Sequence, residues 1–227
     1  MRATLIFLCA AVSLGAAELG FSARDLKVPS FDSAGHLIRR LTADSATGPS
    51  SSTRLDKGRV EFFATQSDES IAVLDFEQAL YRGTEERISS DSAIKLTAQQ
   101  GTVSGRGYDC LLEAGLLELK SDVKFYSNEF HLAGKAGTVR FDPKGTDKDS
   151  LIKEAVVTGG VTVERTATVQ APFDRAETEF ARYGAAEQKV FLKIPVTVWK
   201  KGQRSIIEKT ASGFFEIDLK PTGTPAP

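Results

Sequence analysis

Two cysteines, two histidines, one tryptophan and one methionine are all that this chain of 227 residues carries of those four types. Each scarcity excludes something. Cys9 falls in the N-terminal leader, so once that leader is removed Cys110 stands alone and no intrachain disulfide can form. A lone thiol beside Leu111-Leu112 reads as a buried side chain. His36 and His131 have no second His or Cys at ligand spacing. Zinc sites normally take three or four convergent ligands, so neither a metal nor any other cofactor is expected. No sign of charge dominates either: 29 Lys and Arg stand against 30 Asp and Glu, a net charge of -1. Nucleic-acid binding needs clustered basic residues, and that class drops out.

Motifs for chemistry are missing as well. There is no glycine-rich phosphate loop, nucleophile elbow or metal-binding helix motif. Serines and threonines are numerous, yet none has a neighbouring base. Paired carboxylates are the raw material of glycoside hydrolysis, but Glu85-Glu86 and Asp147-Asp149 lie in polar stretches and read as solvated loop residues. The chain reads as a non-enzyme. No stretch keeps the helical period over three turns, which leaves a nearly all-β fold.

What is present is alternation. Hydrophobic content of 41% suffices for a core, and 14 phenylalanines fall singly inside alternating runs. Arg2, the apolar stretch 4–14 and Gly15-Ala16-Ala17 ahead of Glu18 read as a cleaved signal peptide over residues 1–17. An uncleaved membrane anchor is the alternative, although the apolar part falls short of the roughly 20 residues of a membrane span. Residues 18–220 read as one β domain and 221–227, without apolar content, as a disordered tail. A first strand is expected over 21–28, halted by Pro29, with a second over 37–43 and a loop over 48–53 that inserts into the first repeat. Over 71–82, Leu74, Phe76, Gln78 and Leu80 are expected on one face, with Asp75, Glu77, Ala79 and Tyr81 on the other. Val190, Leu192, Ile194, Val196 and Val198 form the longest single-faced row, in which Pro195 signals an edge or a bulge.

One unit recurs. Leu96-Thr97-Ala98 before Gly101-Thr102-Val103 is followed at an interval of 36 residues by Leu132-Ala133-Gly134 before Gly137-Thr138-Val139. Val169 and Ile207 continue the series. A second element keeps a similar beat: Arg59-Val60-Glu61-Phe62, Asp122-Val123-Lys124-Phe125, Gly160-Val161-Thr162-Val163 and Pro195-Val196-Thr197-Val198. A repeat with one apolar face cannot bury it alone, so the copies must stack into an extended, open-ended structure.

Leu41-Thr42-Ala43-Asp44-Ser45-Ala46 after Asp32-Ser33-Ala34-Gly35 resembles the opening of LptC-type proteins, periplasmic components of lipopolysaccharide export. Ile88-Ser89-Ser90-Asp91, Leu96-Thr97-Ala98, Gly101-Thr102-Val103 and the run from Leu117-Glu118-Leu119 to Phe125 resemble the central unit of that family. The segment 132–141 and Val157-Thr158-Gly159-Gly160-Val161-Thr162-Val163 resemble the related LptA/OstA repeat. The resemblance covers residues 21–219 and implies an all-β, open, twisted β-jelly roll of repeated antiparallel strands in the periplasm. It implies lipopolysaccharide held between the sheets and partner jelly rolls, with an inner-membrane ABC transporter, joined by edge-strand addition. The residues expected to shield the lipid are Leu96, Ala98, Leu117, Leu119, Val123, Phe125, Leu132, Val139, Phe141, Val161, Val163, Val196 and Val198. Phe215, Ile217 and Leu219 mark the expected partner edge, with 21–28 its counterpart at the other end. A soluble LptA-like shuttle and a secreted structural or adhesive β-repeat protein without lipid are the competing readings. A β-helix carbohydrate enzyme needs shorter rungs and a convergent carboxylate cluster, and neither is seen.

Overall fold

Period-2 alternation of apolar and polar residues builds strands and nothing else. The computed structural model describes residues 20–49, 51–64, 67, 69–144, 151–166 and 173–219, and among them there is no helix. The strands are β1 (Gly20–Phe31), β2 (Leu37–Pro49), β3 (Thr53–Phe63), β4 (Ser70–Arg82) and β5 (Arg87–Ala98). Then come β6 (Gly101–Leu111), β7 (Leu116–Ser127), β8 (Phe130–Gly134), β9 (Ala136–Phe141) and β10 (Ile152–Arg165). The last are β11 (Arg175–Gly184), β12 (Lys189–Lys193), β13 (Val196–Lys200), β14 (Gln203–Ile207) and β15 (Phe214–Asp218). All 15 belong to one antiparallel sheet in which most neighbours in sequence pair with each other, the exceptions being β8 with β9, β12 with β13 and β14 with β15. The fold is an open β-jelly roll.

Many of these strands run to 11–14 residues, well beyond the usual length of about five or six. They accommodate that length by bending midway. Pairing registers shift between Phe76 and Leu80, Ser90 and Ala93, Ser104 and Arg106, and Thr158 and Val161. Asp25, Lys57 and Asp122 take positive φ at corresponding points of β1, β3 and β7. The breaks at Lys135, between β8 and β9, and at Ile194-Pro195, between β12 and β13, continue the line. Together these bulges form a crease across the whole sheet. It divides the sheet into half-sheet A, which holds β9, β12 and β15, and half-sheet B, which holds β8, β13 and β14. The two sheets expected from the sequence are therefore two halves of one.

Bulging also changes which face is buried. In β4 the inward row is Ala72, Leu74 and Phe76 before the crease, then Ala79 after it. Gln78 is exposed, so the single-faced row Leu74, Phe76, Gln78, Leu80 does not hold: the extra residue hands the interior to Ala79 and the partly buried Tyr81. The row from Val190 to Val198 likewise crosses a break rather than one strand.

Three other expectations shift. β1 runs through Pro29 to Phe31, because an edge strand needs no donor on its open side. Gly48 and Pro49 end β2 and Thr53 starts β3, so a short turn joins them and no insertion is present. Leu96 precedes its hairpin turn whereas Leu132 follows one, so the first repeat series joins positions that are not equivalent. The second series holds: Val60, Val123, Val161 and Val196 all lie just past the crease, entering half-sheet B. Residues 1–17, Asp147-Asp149, Val169 and 221–227 lie outside the described residues.

Candidate functional site

The interior between the half-sheets is the candidate site. The residues entering it face inward by alternation, and most of their outward neighbours are charged or polar. Of the thirteen residues expected to shield a lipid, Leu96, Leu117, Leu119, Val123, Phe125, Leu132, Val139, Phe141, Val161, Val163 and Val196 are buried in one hydrophobic cluster. Ala98 and Val198 are partly buried against the same cluster. Lys124 is exposed and Thr162 half-exposed, both in the opposite phase. One continuous apolar layer thus runs between the two ends of the sheet.

Next to the crease, Ala and Gly are set among large side chains across the strands. The register aligns Leu26 with Ala43, Ala43 with Gly58, Gly58 with Phe76, Phe76 with Ile94 and Ile94 with Gly105. Gly58 is required by space: a Cβ there would lie 2.1 Å from the Phe76 ring. Gly134 is required likewise, with a Cβ 2.6 Å from Val157 of the opposite half. Small residues at the fold line let the two halves close to packing distance.

Opposite the crease lies a mouth where the hairpin ends of the two halves meet. Phe62 packs edge-on against Phe141 at 5.3 Å between ring centroids, and Phe125 against Tyr183 at the same distance. Phe130 adds a third ring to the latter group. Arg39 of β2, only 5% exposed, pairs with Glu86 of the β4–β5 turn at 2.9 Å. The Ile152 N–H donates to Gln100 Oε1 at 3.3 Å. Burial pushes the Tyr81 and Tyr183 hydroxyls above the usual tyrosine range. Sequence reading missed this seam and treated Glu86 as solvated. Arg39 in the middle of an apolar strand was the available signal, since a buried cation requires a carboxylate partner.

The two ends are open. Phe21, Ala23, Leu26 and Val28 of β1 lean on the core half-covered, and Phe31 is 57% exposed. At the other end, among the described residues, β15 pairs only with β12, and β14 only with β13. Ile217 and Leu219 are buried and Phe215 half-buried, so the predicted partner edge offers its backbone outward while its side chains serve the core. Glu216 and Asp218 are both drawn to Lys189, at 2.8 and 3.7 Å. Among the described residues no group of three or more His, Cys, Asp or Glu side chains is arranged to hold a metal ion. Nor is any helix long and apolar enough to cross a membrane.

These features define a class, an open β-jelly roll with an apolar interior and two edges that no described strand covers. Compared with known proteins, the chain matches no family model and none of the curated proteins.

Proposed function

We propose that this protein is a periplasmic component of lipopolysaccharide export of the LptC kind. It carries the acyl chains of the lipid between its half-sheets and joins neighbouring jelly rolls through its edge strands. The observation that supports the reading is the unbroken apolar layer running from an open β1 to an open β14 and β15. An amphiphile crossing water needs its chains covered, at about 0.8 kcal/mol per CH₂. Unpaired backbone at each end lets a strand be added with little sequence requirement. The partners are an inner-membrane ABC transporter and jelly-roll proteins on either side, in the anchored LptC role or the soluble LptA-like one.

A second reading, a structural or adhesive β-repeat protein, draws on one observation. Leu96, Leu117, Val161 and Val196 are already at 0% exposure without any lipid. Large apolar side chains are most often buried for packing alone. A photo-crosslinker separates the two. Placed at Phe125 or Val198 it should capture lipopolysaccharide, and at Tyr126 or Thr197, one residue out of phase, it should not. Equal labelling in both phases, or none in either, favours the structural protein.

A further inference from the structure

Several cations on this sheet are paired across strands. Arg40 meets Glu61 at 2.7 Å, Arg59 meets Asp75 at 2.7 Å, and Arg182 meets Glu154 at 3.2 Å. Arg87 holds Asp109 and Lys189 holds Glu216 in the same way. Opposite charges on neighbouring strands support the sheet, and like charges set close together weaken it. On three adjacent strands, unpaired cations lie side by side. The side chains of Lys95, Arg106 and Lys124, on β5, β6 and β7, form no ion pair or hydrogen bond with another described residue. Asp75 lies opposite Lys95 in register, but its carboxylate is held by Arg59.

The three cations share one surface. Lys95 is opposite Ser104, and Ser104 is opposite Lys124, so the hydroxyl lies between the two lysines. Strand spacing sets the lysine backbones about 10 Å apart, within reach of one tetrahedral anion above Ser104. Arg106 follows across the bulge at Gly105 and emerges on the same outer face. All four line a groove of about 860 Å³ along the outside of the crease. Glu77 and Asp122, on the same groove, also have no side-chain partner among the described residues. The site therefore offers three donors of positive charge, one hydroxyl and two free carboxylates.

We propose that this groove binds a phosphorylated sugar. Lys95, Ser104, Lys124 and Arg106 take the phosphate, and Glu77 and Asp122 accept hydrogen bonds from sugar hydroxyls. Charge-assisted bonds from ammonium and guanidinium groups are the strong class for phosphate, and a carboxylate is the natural acceptor for hydroxyls. This site is on the outer face and does not depend on what fills the interior.

Titration calorimetry with inorganic phosphate, glucose 1-phosphate and glucose tests it, beside co-sedimentation with phosphatidylglycerol and phosphatidylcholine vesicles. Glucose 1-phosphate should bind saturably and more tightly than phosphate or glucose, and more weakly as salt is raised. Lys95→Gln/Lys124→Gln should weaken it at least about tenfold, the loss of two charge-assisted bonds, with an unchanged melting curve because both residues are exposed. Arg106→Gln, at a third exposed site, gives an independent reading if the double variant folds poorly. Glu77→Gln should weaken glucose 1-phosphate and leave phosphate unaffected. Lysine-dependent sedimentation with phosphatidylglycerol alone would assign the phosphate to a lipid headgroup, and binding of glucose 1-phosphate without sedimentation to a soluble sugar. No lysine-dependent binding in either arm overturns the proposal.

Discussion

Cys110 faces the interior from β6 with no exposed surface. Burial, with the charge of Asp109 adding to it, pushes its thiol well above the usual range. Tyr108, two residues earlier, is pushed up by burial too, and its hydroxyl donates to the Gln78 carbonyl at 2.5 Å. In the unfolded chain the thiol ionises near about pH 8.5, whereas the folded chain keeps its proton. The unfolded state then binds fewer protons, so the contribution is complete below about pH 8.5 and is lost as pH rises toward the folded pKa. Cys110→Ala should therefore flatten the fall of melting temperature between about pH 8 and pH 10, whatever it does to the absolute value. Parallel slopes for the two proteins would contradict the assignment. The buried thiol was legible from Leu111-Leu112. The bond from Glu86 to Arg39 was not, because its partner comes from a different hairpin and nothing local in Glu85-Glu86 announces it.

At the scale of the strand, the crease decides the architecture, and the sequence carries it only as a slip of phase. Leu41 and Ala43 give way to Ala46, and Leu55 gives way to Gly58, Val60 and Phe62, each change shifting the buried row by one residue. A continuous row read through such a point, as through Gln78 and Leu80, assigns the second half of the strand to the wrong face. The valines at 60, 123, 161 and 196 were recognised as a series because each follows a bulge and restarts the pattern. Gly58 tests the crease directly. Gly58→Ala should destabilise the protein by about 1–3 kcal/mol in urea unfolding, because the new methyl would overlap the buried Phe76 ring. Combined with Phe76→Leu, which vacates ring volume, its cost should shrink, since residues in contact couple. Additive effects in the double variant would mean that the ring does not set the requirement for glycine.

For the whole molecule, the lipid-carrying proposal raises the question of how a closed interior would admit a long apolar chain. The half-sheets are continuous at the crease, the rows beside it are interlocked, and the ends are narrowed by half-covered strands. The mouth is held by contacts between side chains: Phe62 with Phe141, Phe125 and Phe130 with Tyr183, Arg39 with Glu86, and Gln100 with the Ile152 amide. Contacts of this kind can part without breaking the backbone ladder, whereas the crease cannot open without losing strand pairing. The lipid-carrying reading therefore predicts entry by parting the mouth. Cysteines at positions 39 and 86, joined by a short bismaleimide linker in a chain with Cys9→Ser, would tie the two halves together where the ion pair now does. Cys110, fully buried, should stay unlabelled in the folded protein. The linked protein should lose most of its lipopolysaccharide capture, and the same double variant left unlinked should capture at least as fast as the parent. A cysteine pair at Arg59 and Asp75, linked on the outer face beside the crease, should leave capture unchanged. If linking across the mouth has no effect while lipid still labels Phe125, the ligand enters through an end of the sheet, and the open edges are its doors as well as its docking strands.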